Sequence, residues 1–374
     1  MKTQNKKVLL GMSGGVDSSV SALLLKEQGY DVVGTTLELF VGSSCCNVNT
    51  YIDAKNVCKT IGVPHFTFDY KDEFKKHVID DFINCYDNQQ TPNPCIECNR
   101  YLKFGSMYEK AKELGCEYIA TGHYAKTEYS EKYGRYVLKK ANNIAKDQSY
   151  VLYTIPKELL GKVLFPLGEF ESKDEVRKVA RENNLKVANK PDSEDICFIP
   201  DGDYKKFLEN NSNIKPKEGN IVNSKGEILG KHQGLYKYTI GQRKGLGISY
   251  KVPLFVIGFN KERNEVIVGE ESEIYKKEML VDNINLLLID SLQEKMQVSV
   301  KTRYSSKEEK ATIEMVEDGI IKVVFEKPVA RITPGQSAVF YIKLIWMDYI
   351  LDMIWKKYSI KQKEIHSIVR VYFE

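Results

Sequence analysis

The run Gly11-Met12-Ser13-Gly14-Gly15-Val16-Asp17-Ser18-Ser19 follows an apolar triplet, Val8-Leu9-Leu10, and precedes a helical apolar pattern that ends at Gly29. Its three glycines let the backbone turn tightly and come close to a ligand. Backbone N–H groups at such a strand-to-helix turn make an anion site, reinforced by the helix dipole. No Lys-Ser/Thr pair follows the glycines, so the loop is not the type that serves γ-phosphate transfer. An acidic Asp17 flanked by hydroxyls instead suits a site that holds magnesium pyrophosphate as it leaves.

A second chemistry lies in the cysteines. All eight fall at or before position 197. In Thr91-Pro92-Asn93-Pro94-Cys95-Ile96-Glu97-Cys98-Asn99 the two prolines predict an extended loop, with both cysteines at a loop-to-helix junction. A helix dipole there favours thiolate, and Arg100 and Lys103 push the same way. The pair could be half of a zinc site, but no second C-x-x-C and no spaced His pair completes one. Cys197, in Lys190–Ile199, fits a buried structural thiol as well as a reactive one. Cys45 and Cys46 are adjacent and cannot easily face one site, so solvent-side or packing thiols are expected; Cys58, Cys85 and Cys116 are expected to be core or incidental. His123 could donate to a phosphate or a base, or be structural.

These residues need a frame. Strands are predicted at 7–10, 31–36, 65–69 and 117–121, with helices near 18–28, 50–61, 72–86 and 102–114. That alternation argues for a doubly wound parallel sheet with ligands at the carboxyl ends of its strands. Thr121-Gly122-His123 then sits at the ligand end. Helices are predicted at Lys146–Thr154 and Ser172–Asn184, followed by a polar loop, Asn189–Ile199. From about 218 short strands with glycine turns take over, and 280–342 alternates as an all-β module does. At 374 residues two or three domains are expected. A net charge of +4 permits nucleic-acid binding without demanding it. No apolar signal core follows the N-terminal lysines and no 18-residue apolar run occurs, which predicts a cytoplasmic protein.

Seven motifs occur in one order: S-G-G-V-D-S-S, T-P-N-P-x-x-x-C-N-x-x-x-K-F, A-T-G-H-Y, K-D-Q-S-Y-V-L, F-P-L-G, D-S-x-D-I-C-F-I-P and G-Q-R-K-G-L-G-I. The first is similar to the PP-loop of ATP pyrophosphatases. Together they resemble the tRNA-specific 2-thiouridylase family, from about residue 6 to 341. The resemblance implies a PP-loop (adenine nucleotide α-hydrolase-like) catalytic domain over 1–200, a small central tRNA-binding domain over 201–275 and a C-terminal β-barrel over 276–342. Residues 343–374 form an atypical tail that departs from the family pattern. The implied reaction is ATP-dependent replacement of the C2 oxygen of the wobble uridine by sulfur, in tRNAs for Lys, Glu and Gln.

By the same resemblance, Gly11, Met12, Ser13, Gly14, Gly15, Val16, Asp17 and Ser18 hold ATP and Mg²⁺, with Leu37 and Gly122 against the adenosine. Cys197 carries a persulfide, Cys98 is the second catalytic thiol, and Asp17 serves pyrophosphate release. Asn93, Pro94 and Cys95 meet the target base, while His123, Lys146, Asp147, Gln148, Arg303, Tyr304 and Gln336 contact tRNA. The implied partners are the tRNA anticodon stem-loop and a persulfide-donating relay protein or cysteine desulfurase. A membrane is not expected, nor a metal held by the protein alone, and the chain is expected to be a monomer. Many family members carry Asp where this chain has Cys95, so Cys95, Cys98 and Cys197 could instead hold an iron–sulfur cluster. Two rivals need no paired thiols: another PP-loop ligase, and a non-catalytic tRNA-binding module.

Overall fold

The computed structural model describes residues 6–40, 48–192, 196–343, 363–366 and 371–372. The expectations for Cys45 and Cys46, and for most of the tail, lie outside them. Strand β1 (Lys7–Gly11) buries Val8, Leu9 and Leu10 completely. Its pleat sends Val8 and Leu10 into one core and Leu9 into another. Burial on both faces is why the triplet is uniformly apolar.

The other strands of the first domain are β2 (Asp31–Glu38), β3 (His65–Asp69), β4 (Tyr118–Ala120), the hairpin β5 (Ala125–Ser130) and β6 (Arg135–Lys140), and β7 (Val163–Leu164). A five-stranded, wholly parallel sheet runs β3-β2-β1-β4-β7. Helices α1 (Val16–Glu27) and α2 (Val48–Ile61), with Lys173–Glu182, cover one face. Helical turns within 71–87 and 94–113 cover the other. The expected doubly wound sheet is therefore the one observed. With β2 on one side of β1 and β4 on the other, the winding reverses at β1, and ligands sit at the carboxyl ends of strands at such a reversal.

Two local expectations fail. The helix expected from 102 starts at Pro94, where Asn93 Oδ1 accepts the Cys95 N–H at 3.2 Å. Proline is favoured at the first helical position because the N–H it lacks would have no partner there. The helical path continues through a π-helical stretch, Cys98–Ser106, to Glu113. Cys95 and Cys98 thus lie in a helix, not in a loop before it. The second failure is Lys146–Thr154, which forms turns around one 3₁₀ turn, Ser149–Val151. The buried Asp147 carboxylate accepts the Ala141 N–H at 3.0 Å and the Ser149 hydroxyl at 2.6 Å, a local alternative to helical bonding.

The central unit is a four-stranded sheet of β8 (Gly219–Asn223), β9 (Ile228–His232), β10 (Phe255–Asn260) and β11 (Glu265–Gly269), packed on Ile221, Val256, Val266 and Val268. The C-terminal unit comprises β12 (Tyr275–Val281), β13 (Met296–Lys301), β14 (Glu309–Glu317), β15 (Ile320–Ala330) and β16 (Val339–Lys343). Alternate residues such as Ile321, Val323 and Phe325 point into its core. From the tail, β17 (Lys363–His366) pairs with β16 and meets β6, while β18 (Val371–Tyr372) pairs with β12.

Candidate active site

Segments distant in sequence converge at the carboxyl end of the parallel sheet, around a cleft of about 620 Å³. Its floor is the β1–α1 turn, where Gly11, Met12, Ser13, Gly15, Val16, Asp17 and Ser18 all line the space. Gly14 faces away. Its φ is +65° and a Cβ there would lie 2.4 Å from the Thr50 carbonyl oxygen, so only glycine fits. Ser18 Oγ accepts the Ser13 N–H at 3.2 Å, and Ser19 Oγ donates to the Gly15 carbonyl at 2.8 Å, which ties the turn to itself. Among the described residues no side chain caps α1 at Gly15, and the first turn of the helix, Val16, Asp17 and Ser18, lines the cleft.

Leu37 enters from β2, Gly122 and His123 from the end of β4. A Cβ on Gly122 would stand 2.9 Å from the Ser18 nitrogen, so glycine is what lets β4 abut the start of α1. His123 Nδ1 pairs with Thr121 Oγ1 at 2.7 Å, and its Nε2 lies 3.5 Å from Lys103 Nζ. Burial, then the Lys103 charge, holds its pKa well below the ordinary 6.5, so the imidazole is neutral.

Three cysteines line the same cleft. Cys98 is buried, Cys197 half-buried and Cys95 exposed to the cavity. Protein surrounding that cavity nevertheless raises the Cys95 thiol pKa, with Lys103 opposing. Cys58, by contrast, is fully buried, and burial pushes its thiol up to about 11. Among the described residues no three His, Cys, Asp or Glu are grouped to hold a metal ion. Cys95, Cys98 and Cys197 share one cavity.

Pro94, Lys146 and Gln148 also reach the cleft, and Tyr304 is brought there by the C-terminal unit. Four expected contact residues are not brought to it. Asn93 caps its helix, and the Asp147 carboxylate is buried among its own bonds. Arg303 donates to the Ile240 carbonyl at 3.0 Å and to Thr333 Oγ1. Gln336 Nε2 donates to the Thr91 carbonyl at 2.7 Å.

Sequence reasoning named Asp17 and Lys146 but not the charged network that joins them. Lys173 Nζ donates to both Asp17 oxygens, at 2.7 and 2.6 Å, and Tyr124 donates its hydroxyl to Oδ1 at 2.8 Å. Lys173 also lies 3.0 Å from Asp192, which Lys146 and Arg177 reach at 2.9 and 3.1 Å. Burial opposes ionisation of Asp192, but bonds from Lys146 and Lys173 prevail and hold it below the usual carboxylate range. Lys190 donates to the Gly14 carbonyl at 3.0 Å and to Asp53 at 2.8 Å. Among the described residues no helix is long and apolar enough to cross a membrane.

Comparison with known proteins agrees with this architecture. The family model described as tRNA methyl transferase HUP domain matches residues 6–201. Those described as tRNA methyl transferase PRC-barrel domain and aminomethyltransferase beta-barrel domain match 205–270 and 276–345. The chain is 47% identical, over 344 residues, to the tRNA-specific 2-thiouridylase MnmA of Clostridioides difficile, covering 90% of this chain and 95% of that one. It is 48% identical, over 345 residues, to the protein of that name from Acetivibrio thermocellus, covering 90% and 96%. A parallel-sheet domain with a glycine-rich turn and paired cysteines, two β-rich units in the same order, and near-half identity along nine-tenths of the sequence place this chain in the tRNA-specific 2-thiouridylase family.

Proposed function

We propose that this chain replaces the C2 oxygen of the wobble uridine with sulfur in tRNAs for Lys, Glu and Gln, splitting ATP to AMP and pyrophosphate. The observation that carries it is one cleft lined by both an uncapped, glycine-rich helix start and Cys98 and Cys197. The first supplies activation, the second the incoming atom.

The uracil C2 oxygen is a poor leaving group and must be activated. It attacks the α-phosphorus of ATP; an O–P bond forms and the bond to pyrophosphate breaks. The turn Gly11–Ser18 holds the departing pyrophosphate, with Leu37 and Gly122 beside the adenosine. Asp17, the carboxylate of the turn, would hold a Mg²⁺ ion together with the substrate phosphates, and that ion would neutralise charge on the departing pyrophosphate. A persulfide on Cys197, received from a relay protein or a cysteine desulfurase, then attacks C2 through its outer sulfur. The Cys98 thiolate attacks Cys197 Sγ, the S–S bond of the persulfide breaks, and AMP leaves. The base keeps the sulfur and a Cys98–Cys197 disulfide remains, to be reduced by a cellular thiol. Pro94, Cys95, His123, Lys146, Gln148 and Tyr304 line the space the base enters, a position suited to a splayed anticodon nucleotide.

Thiolation of tRNA by variants tests this. Cys98→Ala and Cys197→Ala should form no 2-thiouridine, while Cys95→Asp, matching many relatives, should stay active. Activity of Cys197→Ala would sink the persulfide, and an inactive Cys95→Asp with iron in the wild type would favour a cluster. Asp17→Ala should keep its tRNA affinity and lose pyrophosphate release. If alkylating the cysteines leaves product formation intact, the chain is a different PP-loop ligase.

A further inference from the structure

Asp17 is the sole charged residue of the turn Gly11–Ser19, and it is acidic. A polyphosphate arriving there meets a negative charge where phosphate loops of other types carry a lysine. The fold supplies a cation from far along the chain. Lys173 opens the helix Lys173–Glu182, its side chain is 13% exposed, and it lines the cleft. An ammonium has three N–H donors. Here two reach the Asp17 oxygens at 2.7 and 2.6 Å, and Asp192 lies 3.0 Å away. The aromatic ring of Tyr124 faces the same ammonium at 5.7 Å.

The other lysines near the turn are differently engaged. Lys190 holds the Gly14 carbonyl and Asp53, and Lys146 holds Asp192. Both side chains line the cleft, so the Lys173–Asp17 pair lies within reach of a ligand that enters it. We propose that Lys173 is a phosphate-binding residue of the nucleotide site, for which Asp17 and the phosphates of ATP compete. Asp192 remains its anchor when the two bonds to Asp17 are exchanged for phosphate oxygens, and Asp17 is then released to Mg²⁺. This assignment rests on the reading of the turn as an ATP site.

Equilibrium binding of ATP, pyrophosphate and adenosine to the full chain, in EDTA, tests it. Lys173→Met should weaken ATP and pyrophosphate about tenfold or more and leave adenosine within about twofold, and Lys173→Arg should restore most of the loss. Asp17→Asn removes the competitor, so it should tighten metal-free pyrophosphate in the wild-type background and not in Lys173→Met. Three results would overturn the assignment: Lys173→Met binding pyrophosphate normally, adenosine affinity falling in parallel, or Asp17→Asn tightening in both backgrounds. Wild-type protein that binds neither ATP nor pyrophosphate would overturn the ATP reading along with it.

Discussion

Gly122 shows how one missing side chain positions a site. Its Cβ would press on the Ser18 nitrogen at 2.9 Å and the Asp17 carbonyl carbon at 3.0 Å, both backbone atoms at the start of α1. Gly122→Ala must therefore push the turn away from β4, at a cost of about 1–3 kcal/mol. Weaker ATP binding with near-normal tRNA affinity is expected; unchanged ATP affinity would show that the contact relaxes without touching the turn. His123 carries a pH signature. Burial and Lys103 keep its folded pKa well below 6.5, so as pH falls through about 6.5 the unfolded chain gains that proton first. Its contribution to stability is complete above that pH and is lost as the pH drops toward the folded value. Thermal unfolding across pH 5–8 should show this acid limb, flattened in His123→Asn. The turn Gly11–Ser18 was legible because its strand, its glycines and its helix are contiguous in sequence. Lys173 was not: its partner lies 156 positions away, and no local pattern marks it.

At the scale of elements, Asn93 and Pro94 decide where the thiols stand. Asn93 caps the helix whose first turns carry Cys95 and Cys98. Asn93→Ala should cost about 1 kcal/mol by loss of the cap, and Asn93→Asp should not. If the cap positions Cys98, the alanine variant will also alkylate there faster, because its turn frays; an unchanged rate would confine Asn93 to some other role. The central strand of the parallel sheet was readable because burial on both faces demands an unbroken apolar run, Val8-Leu9-Leu10. Helix starts and ends were less so. Two prolines suggested an extended loop with the cysteines at its junction with a helix from 102, yet Pro94 already begins the helix, since a first-turn proline loses no bond. Lys146–Thr154 looked helical by composition, but the bonds that Asp147 makes to Ala141 and Ser149 draw it into turns.

Across the whole molecule, the C-terminal unit is docked on the first domain by a shared core and a polar seam. Leu287, Val339 and Tyr341 belong to the same hydrophobic cluster as Tyr150 and Leu152. Tyr150 donates its hydroxyl to the Ser337 carbonyl at 2.8 Å, and the Thr91 N–H donates to the Pro334 carbonyl at 2.9 Å. Gly335, at φ +85°, permits that approach: a Cβ there would lie 2.9 Å from the Thr91 nitrogen. Alternation along β14 and β15 announced the β-rich unit, but nothing local announced its seat, because Gln336 and Thr91 are 245 residues apart. The seam matters to the cleft because it holds Tyr304, 43% exposed, at the mouth. Gln336 and Tyr304 should therefore behave differently although both were expected to touch tRNA. Gln336→Ala leaves the Thr91 carbonyl without that donor, which costs about 1–3 kcal/mol. It should speed amide exchange at Thr91 and along Val339–Lys343 in the absence of tRNA, and lower tRNA affinity as a consequence. Tyr304→Ala should lower tRNA affinity with exchange at Thr91 unchanged, since its ring lines the cleft and packs on Tyr150 but takes no part in the Gln336–Thr91 bond. Were Gln336→Ala to lose tRNA affinity with wild-type exchange, its amide would be acting on tRNA directly, and the docking role assigned to it would fall.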